Sequence, residues 1–125
     1  MEQLSRLNHK DLILWQKAMD LAVVVHESCT TLPRSETYGL VSQLRRAATS
    51  IPSNIAEGYA RRSKKEYIYF LHVTRGSMAE LETQLLLAQR VGYLPESEAA
   101  DLQVRIDEVG RILHAIVSGL HRRLD

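Results

Sequence analysis

The segment RRSKK brings four cationic side chains close together in the chain, those of Arg61, Arg62, Lys64 and Lys65. Guanidinium and ammonium groups attract phosphates, and a cluster of them favours polyanions through the release of condensed counterions. A cluster of this size is more commonly a solvated turn that serves solubility. The segment is therefore a candidate nucleic-acid-binding turn, with a solvated turn as the alternative.

The charge is also unevenly distributed along the chain, whose overall formal charge is +1. Residues 32–62 hold five arginines against two glutamates, a net charge of +3, whereas residues 94–125 hold four arginines against six carboxylates, a net charge of −2. Arg45 and Arg46 lie in the basic half and join the predicted nucleic-acid-binding set. We also expect at least one of them to pair with a carboxylate across a helix contact.

The histidines and the cysteine do not form the patterns of known catalytic or metal sites. A di-iron helical bundle needs Glu-x-x-His, but the residues three before His26, His72, His114 and His121 are Val23, Tyr69, Arg111 and Ser118. His114 and His121 would lie about 10.5 Å apart along a helix, too far to share one metal. The chain also has neither a Walker-type phosphate loop nor a G-x-S-x-G motif. We expect a non-enzymatic protein without catalytic, cofactor or metal sites.

The elements that position these side chains are predicted to be helices, because apolar residues recur at spacings of three and four. Four segments follow this pattern, approximately residues 11–31, 38–60, 63–91 and 96–123, in a single domain over 1–125. Short loops make neighbouring helices antiparallel, so the fold class is all-α, an up-down-up-down four-helix bundle. Gly76 and Ser77 are interpreted as small residues that let helices approach closely.

The first segment carries two apolar stripes, more than one bundle seam requires. One stripe contains Leu12, Trp15, Met19, Ala22 and Cys29; the other contains Leu14, Ala18, Leu21 and Val25. We therefore expect self-association, with Leu14, Val23 and Val24 meeting another subunit. The alternative is a deeply buried first helix within a monomer.

The second segment contains Pro52 in the stretch SIPSNIAEG. Proline lacks the N–H that would bond the carbonyl of Ala48, and its ring crowds that carbonyl. The apolar phase continues from Ala48 through Ile51 to Ile55, which favours one kinked helix. The alternative is two helices, the second capped at Ser53 or Asn54, because Asn54 and Glu57 have capping-box spacing.

Three stretches together resemble a known family. They are DLILWQKAMDLA, LPRSETYGLVSQLRRAATSIPSNIAEGYAR and FLHVTRGSMAELETQLLLAQRVGYL, within residues 11–94. They look like the four-helix-bundle proteins encoded in intervening sequences of bacterial large-subunit ribosomal RNA genes, a family that includes the accessory variability determinant of diversity-generating retroelements. The resemblance implies an antiparallel bundle that assembles into a pentameric ring. For the retroelement branch it also implies binding to nucleic acid and to a reverse transcriptase. Both branches stay open.

Two functions compete on these observations. The first is a nucleic-acid-binding accessory protein of a ribonucleoprotein or a retroelement, which contacts RNA or DNA through the basic turn. The second is a structural module whose ring docks a protein partner. A single cysteine fits a reducing cytoplasm, which is the expected location, and no apolar run approaches the length that a membrane span needs.

Overall fold

The computed structural model describes residues 8–124, and the side chains of residues 8–122. It contains four α-helices: α1 over Ile13–Cys29, α2 over Leu40–Ala60, α3 over Lys64–Arg90 and α4 over Glu96–Leu124. Short 3-10 helices lie at His9–Asp11 and Arg34–Glu36, and residues 8–124 contain no strand. The prediction of an all-α four-helix bundle is confirmed.

The four helices pack in a cycle. α1 lies beside α2, α2 beside α3, α3 beside α4, and α4 beside α1, whereas the described parts of the diagonal pairs bring no Cα atoms within 8 Å of each other. The Arg45 Nη2 donates to the carbonyl of His26, joining the first half of α2 to the last turn of α1. This contact is one that antiparallel neighbours make. The complete up-down-up-down order stays a prediction.

The core contains the second apolar stripe of α1. Leu14, Ala18, Leu21 and Val25 are all almost completely buried. The expectation that Leu14 meets another subunit is therefore wrong, because its side chain already packs in the core of its own bundle. Val23 is 50% exposed and Val24 is only half-buried, so both stay available at the surface.

Helix α2 continues through Pro52 without interruption. The Asn54 side chain donates backwards to the carbonyl of Ser50 at 2.8 Å, so it does not cap a new helix. The two-helix alternative is wrong. The bend that Pro52 should impose on α2 stays a prediction.

Close approach of two helices depends on Gly58, which is buried on α2. A Cβ atom at this position would lie only 2.6 Å from the Cβ of Phe70 and 3.3 Å from the Tyr67 ring. At Gly76 the corresponding Cβ would meet nothing within 4 Å. The interpretation of Gly76 as a close-contact residue is therefore wrong, and Gly58 has that role between α2 and α3.

The end of α3 is fixed by Gly92, which has a φ of 86°. The Tyr93 N–H donates to the carbonyl of Ala88 and the Gly92 N–H to that of Gln89, the two hydrogen bonds of a Schellman motif. The Tyr93 hydroxyl then donates to Glu36, which ties this loop to the one between α1 and α2. Across residues 8–124, no helix combines the length and apolarity required to cross a bilayer.

Candidate nucleic-acid interface

The basic turn connects α2 to α3. Arg61 is the C-cap residue of α2, and Arg62 follows it. Lys64 and Lys65 are the first two residues of α3. Ser63 caps α3, since its hydroxyl accepts from the Glu66 N–H at 3.3 Å. All four cationic residues are exposed, as the sequence predicts.

Arg62 has a φ of 59°, an unusual conformation for a residue other than glycine. Its N–H donates to the carbonyl of Tyr59 and so satisfies one of the last acceptors of α2. The left-handed region costs an L-residue about 1–2 kcal/mol relative to the usual helical conformation. The position thus has a strained backbone and an exposed guanidinium.

Arg61 differs from the other three cations because its charge is already paired. Its guanidinium lies 3.0 Å from the Glu57 carboxylate and 3.8 Å from that of Glu66. It also lies 5.2 Å from the centre of the Phe70 ring, within the range of a cation–π contact. Arg61 therefore links the end of α2 to the beginning of α3.

The remaining cations of the turn have no carboxylate within ion-pairing distance among residues 8–122. They are Arg62, Lys64 and Lys65, and we call them the free turn cations. Lys64 and Lys65 occupy the first turn of α3, where the helix dipole is also positive. Glu66 also lies in this first turn, but residues 57–66 hold four cations against two carboxylates, and this net positive charge favours an anion.

Arg45 is remote from the turn and has a structural contact. It is half-buried, and it donates to the His26 carbonyl, which belongs to the last turn of α1. A cation at a helix C-terminus is favourable because it meets unsatisfied carbonyls and the negative end of the dipole. The Arg45 Nε is buried without a partner in the described structure. We assign Arg45 to the packing of α1 against α2.

Arg46 is exposed on α2 and lies 15 residues before Arg61, about 22 Å along the helix. The structure therefore does not bring Arg45 and Arg46 together with the basic turn. Neither of them has a carboxylate within ion-pairing distance among residues 8–122. The expected pairing of one of them is wrong for this part of the chain, because Arg45 bonds a backbone carbonyl instead.

Cys29 is buried beside Arg45. Burial raises the pKa of the Cys29 thiol, and the neighbouring Arg45 guanidinium partly opposes this shift. The thiol is therefore protonated at neutral pH, as is typical of a cysteine that packs in a core.

A second group of cations lies in a groove of about 560 Å³ between α3 and α4, a group that the sequence reasoning missed. Arg75, Arg111 and His114 line this groove together with Glu82 and Asp107. The Gln103 amide donates to the Glu82 carboxylate at 2.6 Å and to that of Asp107 at 2.9 Å. An antiparallel alignment of the third and fourth segments would have placed these cations opposite each other.

An apolar groove of about 490 Å³ lies between α1 and α2. Trp15, Met19 and Val23 line one side, and Pro52 and Ala56 line the other. Trp15, Met19 and Ala22 of the first apolar stripe line this groove, whereas Ala22 and Cys29 of the same stripe are also buried in the core. The groove is the feature of the fold that best suits an apolar partner.

The chain is similar to one protein family and to a solved structure. The family described as 23S rRNA-intervening sequence protein matches residues 10–115. A solved structure of a protein of unknown function, from the S23 ribosomal protein family of Bacteroides thetaiotaomicron VPI-5482, superposes with a TM-score of 0.76. It is 23% identical and covers 83% of this chain and 97% of its own, so this likeness shows the fold. No curated protein matches the chain. The family match spans most of the four helices, and the chain therefore belongs to the family of 23S rRNA-intervening sequence proteins.

Proposed function

We propose that this protein is a non-enzymatic, self-associating protein of the cytoplasm that binds nucleic acid through its basic turn. The observation that carries the proposal is the position of the free turn cations at one end of the bundle, exposed and without carboxylate partners in residues 8–122. When such cations contact phosphates, counterions condensed on the nucleic acid are released. This release is the main favourable contribution to sequence-independent binding.

The family supports RNA as the first polymer to test, since its description refers to an intervening sequence of 23S ribosomal RNA. That context supports an accessory role in a ribonucleoprotein. In the retroelement branch of the family the same surface would bring the nucleic acid to a reverse transcriptase. The free turn cations do not distinguish RNA from DNA, because contacts with phosphates carry no sequence information.

Self-association would strengthen this binding. Three free cations form a weak site in one chain, but a pentamer would present five copies of the turn. Linked copies bind a long polymer with a higher effective affinity than a single copy does. The apolar groove between α1 and α2 supports self-association, because an apolar surface of this kind is stabilised when a partner covers it.

The test compares the parent with a variant in which Arg62, Lys64 and Lys65 are each changed to Gln. Affinity for a structured RNA and for duplex DNA is measured by fluorescence anisotropy over a salt series. We expect the parent to bind with log K falling linearly against log salt. The variant should bind more weakly, with a slope that is shallower by up to about 2–3 for each chain in contact.

The matched control changes Arg34, Arg46 and Arg90 to Gln, which removes the same charge from exposed positions outside the turn. This control should bind more strongly than the turn variant at every salt concentration. If the control variant loses more affinity than the turn variant, the interface lies away from the turn, and the predicted role of Arg46 gains support. If the parent binds neither polymer at low salt, the protein-docking function, which the apolar groove favours, replaces this proposal.

A further inference from the structure

Two histidines on different helices face each other near one end of the bundle. His72 lies in α3 and His121 lies near the end of α4, with their ring centroids 6.1 Å apart and their planes inclined by 44°. Spacing along the chain does not predict this pair, because the two histidines lie in different helices. Residues 8–122 contain no cluster of three or more potential metal-ligating side chains.

The separation of the two rings suits a shared metal ion. An imidazole nitrogen binds Zn²⁺ at about 2.0–2.1 Å, so each ring centroid lies roughly 3 Å from the ion. Two imidazoles on one ion therefore have centroids roughly 5–6 Å apart, the larger value for a more open angle. The observed separation of 6.1 Å lies at the upper end of this range.

Both imidazoles are available for coordination. His72 and His121 are exposed, and neither ring makes a hydrogen bond within the described residues. Their backbones are held in place, because the adjacent residues Leu71 and Leu120 are buried in the core. A pair fixed by two packed helices loses little conformational entropy when it binds an ion.

The Arg122 Nη2 lies 3.9 Å from the position that a Cβ on Gly119 would occupy. Gly119 and His121 are two residues apart on α4, so they project from different faces of the helix. The Arg122 guanidinium thus lies beside Gly119, on a different face of α4 from His121.

We propose that His72 and His121 form a two-imidazole site for a borderline transition-metal cation of the Zn²⁺, Ni²⁺ and Cu²⁺ class, with water completing the coordination. Imidazole nitrogen suits these ions, whereas Mg²⁺ and Ca²⁺ prefer oxygen ligands. The bound ion joins the final turns of α4 to α3. Its stabilising effect follows from mass action, because the unfolded chain does not hold the two rings together.

The test uses the untagged full chain, since a histidine tag would bind the same ions. Zn²⁺ binding is measured by isothermal titration calorimetry, and the melting temperature is followed by circular dichroism with Zn²⁺ or Mg²⁺. We expect saturable binding of one Zn²⁺ per chain and a rise in melting temperature that Mg²⁺ does not cause. His72→Gln and His121→Gln should each weaken Zn²⁺ binding by about tenfold or more, because chelation by two linked ligands is lost.

His114→Gln is the matched control, because His114 is exposed on the same helix and is not part of the pair. It should bind Zn²⁺ as the parent does. In the parent, NMR should show Zn²⁺-induced shifts for the imidazoles of His72 and His121 but not for that of His114, a readout that needs no variant to fold. Absence of saturable binding by the parent, equal binding by the pair variants, or loss of binding in His114→Gln would each overturn the site. These outcomes do not depend on whether the protein binds nucleic acid.

Discussion

At the scale of single residues, Arg61 and Arg62 are adjacent in the chain but their guanidinium groups have different surroundings. Arg61 contacts Glu57, Glu66 and the Phe70 ring, whereas Arg62 has no carboxylate partner in the described residues. An arginine that already has partners must lose them to contact a phosphate. The free turn cations are therefore better placed for binding than Arg61, and Arg61 contributes more to the turn itself.

A second residue with a distinctive environment is Tyr67, which packs edge-on against Tyr59 with ring centroids 5.6 Å apart. Burial, together with the nearby Tyr59, raises the pKa of Tyr67 to about 12. The folded protein therefore retains the Tyr67 proton at pH values where the unfolded chain, with an ordinary tyrosine pKa near 10, has lost it. This contribution to stability is complete below pH of about 10 and is lost as the pH rises towards 12.

The hydrogen bond to Glu36 also raises the pKa of Tyr93, but only Tyr67 is shifted to about 12. We expect ultraviolet titration to show a late step near a pH of about 12, and Tyr67→Phe to remove this late step. The same variant should lose less stability than the parent between pH values of about 10 and 12. Tyr69→Phe is the control, because Tyr69 is exposed and its replacement should leave the late step in place. A late step that persists in Tyr67→Phe would contradict the assignment.

The sequence allowed some of these residue-level features to be predicted. The exposure of the basic turn follows from its position between two apolar patterns, and the Glu57–Arg61 pair has the four-residue spacing of a helix surface. The contacts of Arg61 with Glu66 and Phe70 depend on the geometry of a short turn, which residue spacing alone does not define. The His72–His121 pair could not be predicted for a similar reason, because the two residues are 49 positions apart in the chain.

At the scale of the helices, two glycines on neighbouring elements have opposite roles. Gly58→Ala would place a Cβ 2.6 Å from the Phe70 Cβ, and relief of this overlap requires α2 and α3 to move apart. We expect a net loss of about 1–2 kcal/mol in the free energy of unfolding, after a gain of about 0.5–1 kcal/mol from helix propensity. Gly76→Ala meets no atom within 4 Å and should gain about 0.5–1 kcal/mol.

Urea denaturation of both variants measures these changes directly. The two changes in the free energy of unfolding should have opposite signs, although the substitutions are chemically identical and both positions lie inside a helix. If both variants are stabilised, α2 and α3 are too far apart at Gly58 for an added Cβ to overlap with Phe70. The sequence does not distinguish Gly58 from Gly76, because neither spacing nor composition shows which face of a helix lies against the neighbouring helix.

Pro52 provides a second prediction at this scale. Pro52→Ala restores an N–H that can bond the Ala48 carbonyl, and the interior of a helix favours alanine over proline by about 3 kcal/mol. Loss of the buried ring from the apolar groove opposes this gain. We expect a folded variant with unchanged or higher helix content by circular dichroism, and with altered self-association if the groove is an interface.

The natural comparison for Pro52→Ala is Ser53→Ala, one position along α2 at an exposed site on the rim of the same groove. This variant keeps the proline and should behave as the parent in both measurements. A Pro52→Ala chain that fails to fold would show that the proline is needed for α2 to form, in conflict with an apolar phase that continues from Ala48 to Ile55.

At the scale of the whole molecule, the four-helix architecture follows from the sequence because each segment repeats its apolar residues with the period of a bundle seam. The core residues Leu44, Ile51, Leu81 and Leu102 lie in the predicted helical segments and are almost fully buried. On α1 the periodicity was ambiguous, because both stripes have helical spacing. In the structure the stripe with Leu14 lies wholly in the core, whereas the other stripe is divided: Ala22 and Cys29 are buried in the core, and Trp15 and Met19 line a groove.

That groove leads to the final prediction, that the protein is a homo-oligomer and that the groove between α1 and α2 forms part of the subunit interface. Sedimentation velocity should give a mass well above the 14.2 kDa of one chain, about 71 kDa for five chains (5 × 14.2). Val23 lies in the groove and is 50% exposed, so Val23→Glu can be accommodated in a monomer. In an oligomer the same carboxylate would be buried without a partner, at a cost of several kcal/mol, and we expect dissociation.

Val104→Glu is the matched control, because Val104 on α4 is 62% exposed and lies outside the groove. The two variants introduce the same charge at similarly exposed valines, so general solubility or net charge cannot explain a difference between them. Dissociation by Val23→Glu alone assigns the interface to the groove. Dissociation by Val104→Glu alone would move the interface to α4, and a parent protein that sediments as a monomer at high micromolar concentration would contradict self-association altogether.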